Sequence, residues 1–80
     1  MKLRIVNPTK STELEIVWLE INTPEGNFII QNGYIPTTFL LSPNKELHYC
    51  FKTGKQESIS TLKGGILEIT KKEIVALLQE

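Results

Sequence analysis

The sequence predicts an all-β fold, a two-layer antiparallel β-sandwich of short strands, on three observations. Turn signals recur at short, regular intervals through all 80 residues, a spacing that marks sandwiches and barrels. The runs between those turns alternate apolar and polar residues, the period of a strand with one buried face. A glycine pair, Gly64-Gly65, stands at the mouth of the run Ile66-Leu67-Glu68-Ile69. Such a pair weakens a strand unless the backbone needs it for a bulge or a close approach.

The first run, Leu3 to Val6, ends at Asn7-Pro8-Thr9. Leu14 and Ile16 then lie in one phase, while Val17, Leu19 and Ile21 lie in the opposite phase, with Trp18, Glu20 and Asn22 on the other face. A bulge near Ile16-Val17 reconciles the two phases. Thr23-Pro24-Glu25-Gly26 fits a type I turn, with proline at the second position and glycine at the fourth. Asn32-Gly33 and Ser42-Pro43-Asn44 are further breaks, and Thr53-Gly54 fits a tight hairpin. Leu47, Tyr49 and Phe51 alternate with Glu46, His48, Cys50 and Lys52, so the first three face the core. In the glycine-led run Leu67 and Ile69 share one face, Glu68 takes the other, and Gly65 is the candidate for a positive φ. Thr70-Lys71-Lys72-Glu73 matches a helix capping box. Only about two turns of chain follow, too few for a stable isolated helix, so a turn and then a strand from Glu73 to Leu78 is the expectation.

Composition narrows the function. A chain this short makes one domain, residues 1–80, with a small core. Apolar residues at 40% and charged residues at 22% are those of a soluble globular chain. No apolar run reaches the roughly 18 residues of a membrane span, and the first residues lack a signal-peptide core; both point to the cytoplasm. Formal net charge is zero, unlike nucleic-acid binders, which carry a basic face. Cys50 is the sole cysteine, His48 the sole histidine, and there is no aspartate. An internal disulfide and a multi-cysteine metal site are excluded, and most catalytic constellations are removed with them. His48 and Cys50 sit two apart on one strand face, about 7 Å from each other, beyond hydrogen-bond reach; they read as a partly exposed polar pair. Gly64-Gly65 runs into a strand rather than a helix, so it is not a phosphate loop. Glu13, Glu15 and Glu20 read as a solvated face. No catalytic residue, metal or cofactor is expected, and the chain is not an enzyme.

Other residues point to a protein partner. Phe28-Ile29-Ile30, Phe39-Leu40-Leu41 and Ile74-Val75-Ala76-Leu77-Leu78 are apolar on both faces. Continuous apolarity means that both sides are covered, either by another protein or by the chain's own twist and loops. Trp18 falls on the polar face of its strand, as an interface anchor would; if the phase is off by one residue it belongs to the core. Tyr34 lies at a loop tip, with the exposure typical of loops, or else its ring folds over the end of the sandwich.

Several of these segments, in this order and spacing, resemble the N-terminal β-sandwich domain of the epsilon subunit of F-type ATP synthases, called delta in mitochondria. Leu3-Arg4-Ile5-Val6-Asn7-Pro8 is similar to the family's opening strand and turn. Pro24-Glu25-Gly26-Asn27-Phe28 stands where the family has an acidic or small residue, a glycine and an apolar strand start. Asn32-Gly33-Tyr34-Ile35-Pro36 replaces a turn that usually reads Gly-His-Ala-Pro or Asn-His-Ala-Pro, with Tyr34 for the histidine and Ile35 for the alanine. Lys63-Gly64-Gly65-Ile66-Leu67-Glu68-Ile69 matches the family's Gly-Gly strand, and Glu73 to Leu78 follows as its last strand.

The resemblance implies a non-catalytic rotor subunit of the central stalk. It would link the gamma subunit to the membrane c-ring in ion-driven ATP synthesis, touch the membrane only through the complex, and sit on the cytoplasmic side of the inner (plasma) membrane. It implies partner contacts at Asn27, Asn32, Tyr34 and Ile35, joined by Trp18 from the strand phase, and structural roles for Gly26, Gly33, Pro36, Gly64 and Gly65. The family's C-terminal helical hairpin has no counterpart in these 80 residues, which fits a natural short form or one domain of a longer chain. Two other readings remain at this level: a β-sandwich adaptor outside ATP synthase, and an OB-like single-stranded nucleic-acid module using Trp18, Tyr49 and Phe51.

Overall fold

The computed structural model describes residues 1–79. In chain order the strands are β1 (Lys2–Asn7), β2 (Lys10–Glu15), β3 (Trp18–Thr23), β4 (Gly26–Gln31), β5 (Thr37–Leu41), β6 (Glu46–Cys50), β7 (Gln56–Ser60), β8 (Gly65–Ile69) and β9 (Ile74–Leu78). They form a five-stranded sheet, β2-β1-β9-β8-β5, and a four-stranded sheet, β4-β3-β6-β7. The fold is the all-β sandwich that the turn spacing predicts. Among the described residues there is no helix, and so none long and apolar enough to cross a membrane. One pairing is not antiparallel: β1 runs parallel to β9, with Leu3 opposite Ile74 and Val6 opposite Leu77. Each sheet keeps two open edges, so this is not the closed barrel that the nucleic-acid reading requires. Tyr49 is buried in the core and Phe51 packs against it, so two of the three aromatics of that reading are turned to the interior.

The core fills the space between the sheets with the inward half of each alternating pattern. Leu3 and Ile5 from β1, Leu67 and Ile69 from β8, and Ile74, Ala76 and Leu78 from β9 face Leu19 and Ile21 from β3 and Leu47 and Tyr49 from β6. Burying one such aliphatic side chain contributes about 1.5–3 kcal/mol, so these positions dominate the stability of a domain this small.

The phase change at Ile16-Val17 has a different cause from the bulge expected. The Ile16 amide donates to the Met1 carbonyl in the five-stranded sheet (2.9 Å), and the Val17 amide donates to the Cys50 carbonyl in the four-stranded sheet (2.8 Å). The chain changes sheets between these two residues, and its inward face changes with it. Ile16 is therefore fully buried, whereas Val17, expected in the core, is 40% exposed. At the same corner the Met1 ammonium donates to the Ile16 carbonyl (2.8 Å) and pairs with the Glu15 carboxylate (2.9 Å).

Thr70 to Glu73 form the expected turn. The Thr70 hydroxyl oxygen accepts from the Lys72 and Glu73 amides at 3.2 Å, as a helix cap would. The Thr70 amide, however, donates to the Glu73 carbonyl at 2.9 Å, which closes the turn and sends the chain into β9. Arg4 on β1 reaches the Glu73 carboxylate at 3.2 Å and so ties the first strand to this turn.

The two glycines serve two separate needs. Gly64, not Gly65, holds the positive φ, at +75°, and a Cβ there would lie 2.7 Å from the Leu41 carbonyl oxygen. Gly65 has an ordinary φ, but its Cβ would collide with the Leu77 carbonyl of β9. Close approach of two backbones, one of the two reasons the pair suggested, is what excludes a side chain at Gly65.

Two outcomes are expected. Gly65→Ala forces β8 away from β9 and destabilises by about 1–3 kcal/mol, a fall in melting midpoint of about 4–8 °C per kcal/mol in a domain of this size; a thermal melt with an unchanged midpoint would contradict the close approach. The hydrogen bond and charge of the Met1 ammonium hold the Glu15 carboxyl below its ordinary 4.5. A lowered folded-state pKa stabilises above the unfolded value, and that contribution fades as pH falls through the folded value. The midpoint difference between the native chain and Glu15→Gln should thus be constant from pH 4.5 to neutral pH, shrink in more acidic solution, and shrink with salt because the Glu15 carboxylate is exposed.

Candidate functional site

One side of the sandwich carries no charge. From Gly26 to Asn44 there is no Asp, Glu, Lys, Arg or His, and this stretch builds β4, the loop after it, and β5. β4 and β5 are edge strands of the two sheets. Their aromatic side chains meet, with the Phe28 and Phe39 rings 5.0 Å apart, so the two open edges lie on the same flank. The opposite flank is formed by β2, with Lys10, Glu13 and Glu15, and β7, with Glu57. Charged residues on an edge strand discourage another chain from pairing with it; β2 and β7 have that protection, and β4 and β5 lack it.

Large apolar side chains stand exposed on the uncharged flank: Ile29 at 50%, Ile35 at 72% and Leu40 at 62%. From Leu40 the apolar surface continues over the outer face of the five-stranded sheet. Leu40 of β5 lies opposite Ile66 of β8, Ile66 opposite Leu77 of β9, and Leu77 opposite Val6 of β1. Neighbouring strands are about 4.8 Å apart, so this row runs roughly 14 Å across the sheet. Arg4, paired with Glu73, and Glu68 flank it. Exposed Leu40, Ile66 and Leu77 with half-buried Val6 thus make an apolar row bordered by charge.

The structure gathers most of the residues expected to touch a partner. Asn32, Gly33, Tyr34, Ile35 and Pro36 form the loop joining the two uncharged strands. Gly33 has φ +89°, and the Tyr34 amide donates to the Gln31 carbonyl at 3.1 Å, which makes the turn. Ile35 projects from that loop. Tyr34 does not: its ring is half-buried against the core, 6.2 Å from Phe39, so it folds over the end of the sandwich instead of standing free. Asn27 lies at the other end of β4, about 17 Å away at 3.3 Å per residue. Its Nδ2 donates to the Glu20 carboxylate (3.1 Å) and to Asn22 Oδ1 (3.2 Å), which fastens the edge strand to β3. Gly26, at φ +130°, closes the β3–β4 turn, where the Thr23 hydroxyl donates to its carbonyl at 3.0 Å.

Trp18 lies on the outer face of the four-stranded sheet, opposite Gln31 and Cys50, half-buried and outside the core cluster. Cys50, expected to be partly exposed, is 6% exposed on that face. His48 stands 3.6 Å from Glu46 and opposite Glu20. No group of three metal-ligating side chains occurs among the described residues. Sequence reasoning marked Ile29, Leu40 and Leu77 only as members of runs apolar on both faces, and missed Ile66, which is exposed, and Val6, which is half-buried. The unbroken absence of charge from Gly26 to Asn44 was a signal that could have set Ile29 and Leu40 apart.

The class of protein this geometry defines is a two-layer β-sandwich with an uncharged flank. No family model and no curated protein matches the chain. Solved structures do share its fold. One is a chain of the Euglena gracilis mitochondrial ATP synthase, in its OSCP/F1/c-ring assembly (TM-score 0.82, 20% identity), with 95% of this chain and 48% of that chain covered. Another is a chain of the Tetrahymena thermophila mitochondrial ATP synthase, in its central stalk and c-ring (TM-score 0.78, 17% identity), with 100% and 63% covered. The protein thus spans about half the length of the first of these chains and less than two thirds of the second.

The placement of Trp18 outside the core sets a contrast with its neighbour. Leu19→Ala removes a fully buried side chain and should cost about 2–5 kcal/mol. Trp18→Ala should cost clearly less, as read from denaturant midpoints at equal slope; an equal or larger loss for Trp18 would place its ring in the core.

Proposed function

We propose that this chain is a non-catalytic subunit of the central stalk of a rotary F-type ATP synthase, a single epsilon-like sandwich domain linking a gamma-type subunit to the c-ring. The carrying observation is the fold shared along nearly its whole length with chains of two ATP synthases, and the ordered motifs of the sequence support the same reading. In this role the chain stays on the cytoplasmic face of the energy-coupling membrane and meets that membrane only through the complex.

Mechanically, the domain acts as a rigid coupling. Packed interiors deform little under load, and a two-layer sandwich with its core shared by both sheets passes torque from one contact surface to another. The uncharged flank of β4, Ile35 and β5, extended by the row from Leu40 to Val6, is the surface assigned to the gamma-type partner. Burial of its exposed aliphatic side chains supplies the affinity, at about 25 cal/mol per Å² of apolar area removed from water. The Pro24-Glu25-Gly26-Asn27 end is assigned to the polar loops of the ring.

Co-expression with the cognate gamma-type subunit tests the reading. The two chains should co-migrate through size exclusion as a one-to-one complex. Leu40→Glu, an exposed position, should leave the isolated domain folded and weaken the complex at least tenfold, since burying an unpaired carboxylate is costly. Absence of any complex with the native chain would overturn the assignment.

A further inference from the structure

A cavity of about 360 Å³ opens at one end of the sandwich, between the Asn32–Pro36 loop and the Thr70–Glu73 turn. Its size falls within the roughly 300–1,000 Å³ of small-molecule sites. The floor is apolar: Met1, Ile35 and Pro36 supply accessible surface there, above Ile69 and Ile74, which the core buries almost wholly. The rim is cationic. Lys71 and Lys72 are exposed there, and neither makes an ion pair among the described residues. The nearest carboxylate in sequence, Glu73, is engaged by Arg4 at 3.2 Å, so it does not neutralise them. Tyr34 closes the opposite wall.

We propose that this cavity binds a small amphiphilic anion, a carboxylate or phosphate head on a short aliphatic body. The aliphatic body lies on this apolar floor, where its burial is favourable. The head stays at the rim within reach of the two ammonium groups, whose hydrogen bonds to an anion are charge-assisted. A zwitterion or cation of the same length gains the floor but not the rim. A bare anion gains the rim but not the floor, and exposed lysines alone hold it weakly. The site lies apart from the row on the outer sheet face and shares Ile35 with the uncharged flank; the proposal does not depend on the stalk assignment.

Octanoate is the probe, with octylammonium and acetate as controls, followed by amide chemical shifts of the isotope-labelled chain. Octanoate should give saturable shifts confined to Asn32–Tyr34, Ile35 and Thr70–Ile74, with acetate and octylammonium at least tenfold weaker. Lys71→Gln/Lys72→Gln alters only exposed side chains, so the fold survives. It should weaken octanoate roughly tenfold, the effect of losing one charge-assisted hydrogen bond, and leave octylammonium unchanged. Non-saturable shifts, shifts spread over the outer sheet faces, or equal binding of octanoate and octylammonium would each overturn the proposal. Retention of full octanoate affinity by the double variant would overturn it as well.

Discussion

The five-stranded sheet closes only when the last strand slides in beside the first. β9 lies between β1 and β8, so the centre of that sheet is made from opposite ends of the chain. Leu3 meets Ile74 and Ile5 meets Ala76 in a parallel register, and the Arg4–Glu73 pair repeats the connection at the turn. Until that contact forms, β1 with β2 is a bare hairpin, and isolated hairpins are at best marginal in water. Pairings this distant in sequence carry the loop-closure entropy of nearly the whole chain. They are held by side chains with almost no exposure, which is why the core is concentrated on β1, β8 and β9 and on the strands of the second sheet facing them.

The same arrangement explains the uneven surface. A central strand covered on one side only by core still presents an outer face, and β9 is apolar on both faces. Val75 is covered by its neighbours, but Leu77 remains exposed and lines up with Ile66 and Leu40. The four edges are unequal in turn: two carry charge, and two, on the same flank, carry none. Twist and loops bury much of the apolar excess, since Phe28, Tyr34 and Phe39 pack on the core, and the remainder stays at the surface. The chain's own packing therefore accounts for part of the apolar runs and leaves the rest exposed.

Much of the fold was legible because local chemistry and tertiary need coincide. Proline and glycine fixed the turn at Thr23 to Gly26, alternation placed Leu47 and Tyr49 in the core, and the turn closed by Thr70 and Glu73 leads into β9 as a strand. The misreadings share a cause. Val17 was given to the core because a phase change within one strand and a change of sheet give the same pattern of side chains; only the partners of the Ile16 and Val17 amides separate them. Cys50 was placed on an open face because alternation specifies direction and says nothing of what lies beside it, here Trp18 in the adjacent strand. β7, with its polar Gln56–Ser60 pattern, could be inferred only through the tight turn before it.

By itself the sequence determined the class of fold, the places where the chain must turn, and the glycine pair that one backbone approach and one positive φ demand. These are local properties, set by side-chain size, charge and backbone freedom over a few residues. Only the tertiary structure decided which apolar residues remain outside. Ile66, Leu77, Leu40 and Val6 are distant in the chain and form a row solely because β1, β9, β8 and β5 take adjacent places in one sheet. Strand order is set by the shared core, and the geometry of a surface row depends on that order rather than on any run of sequence.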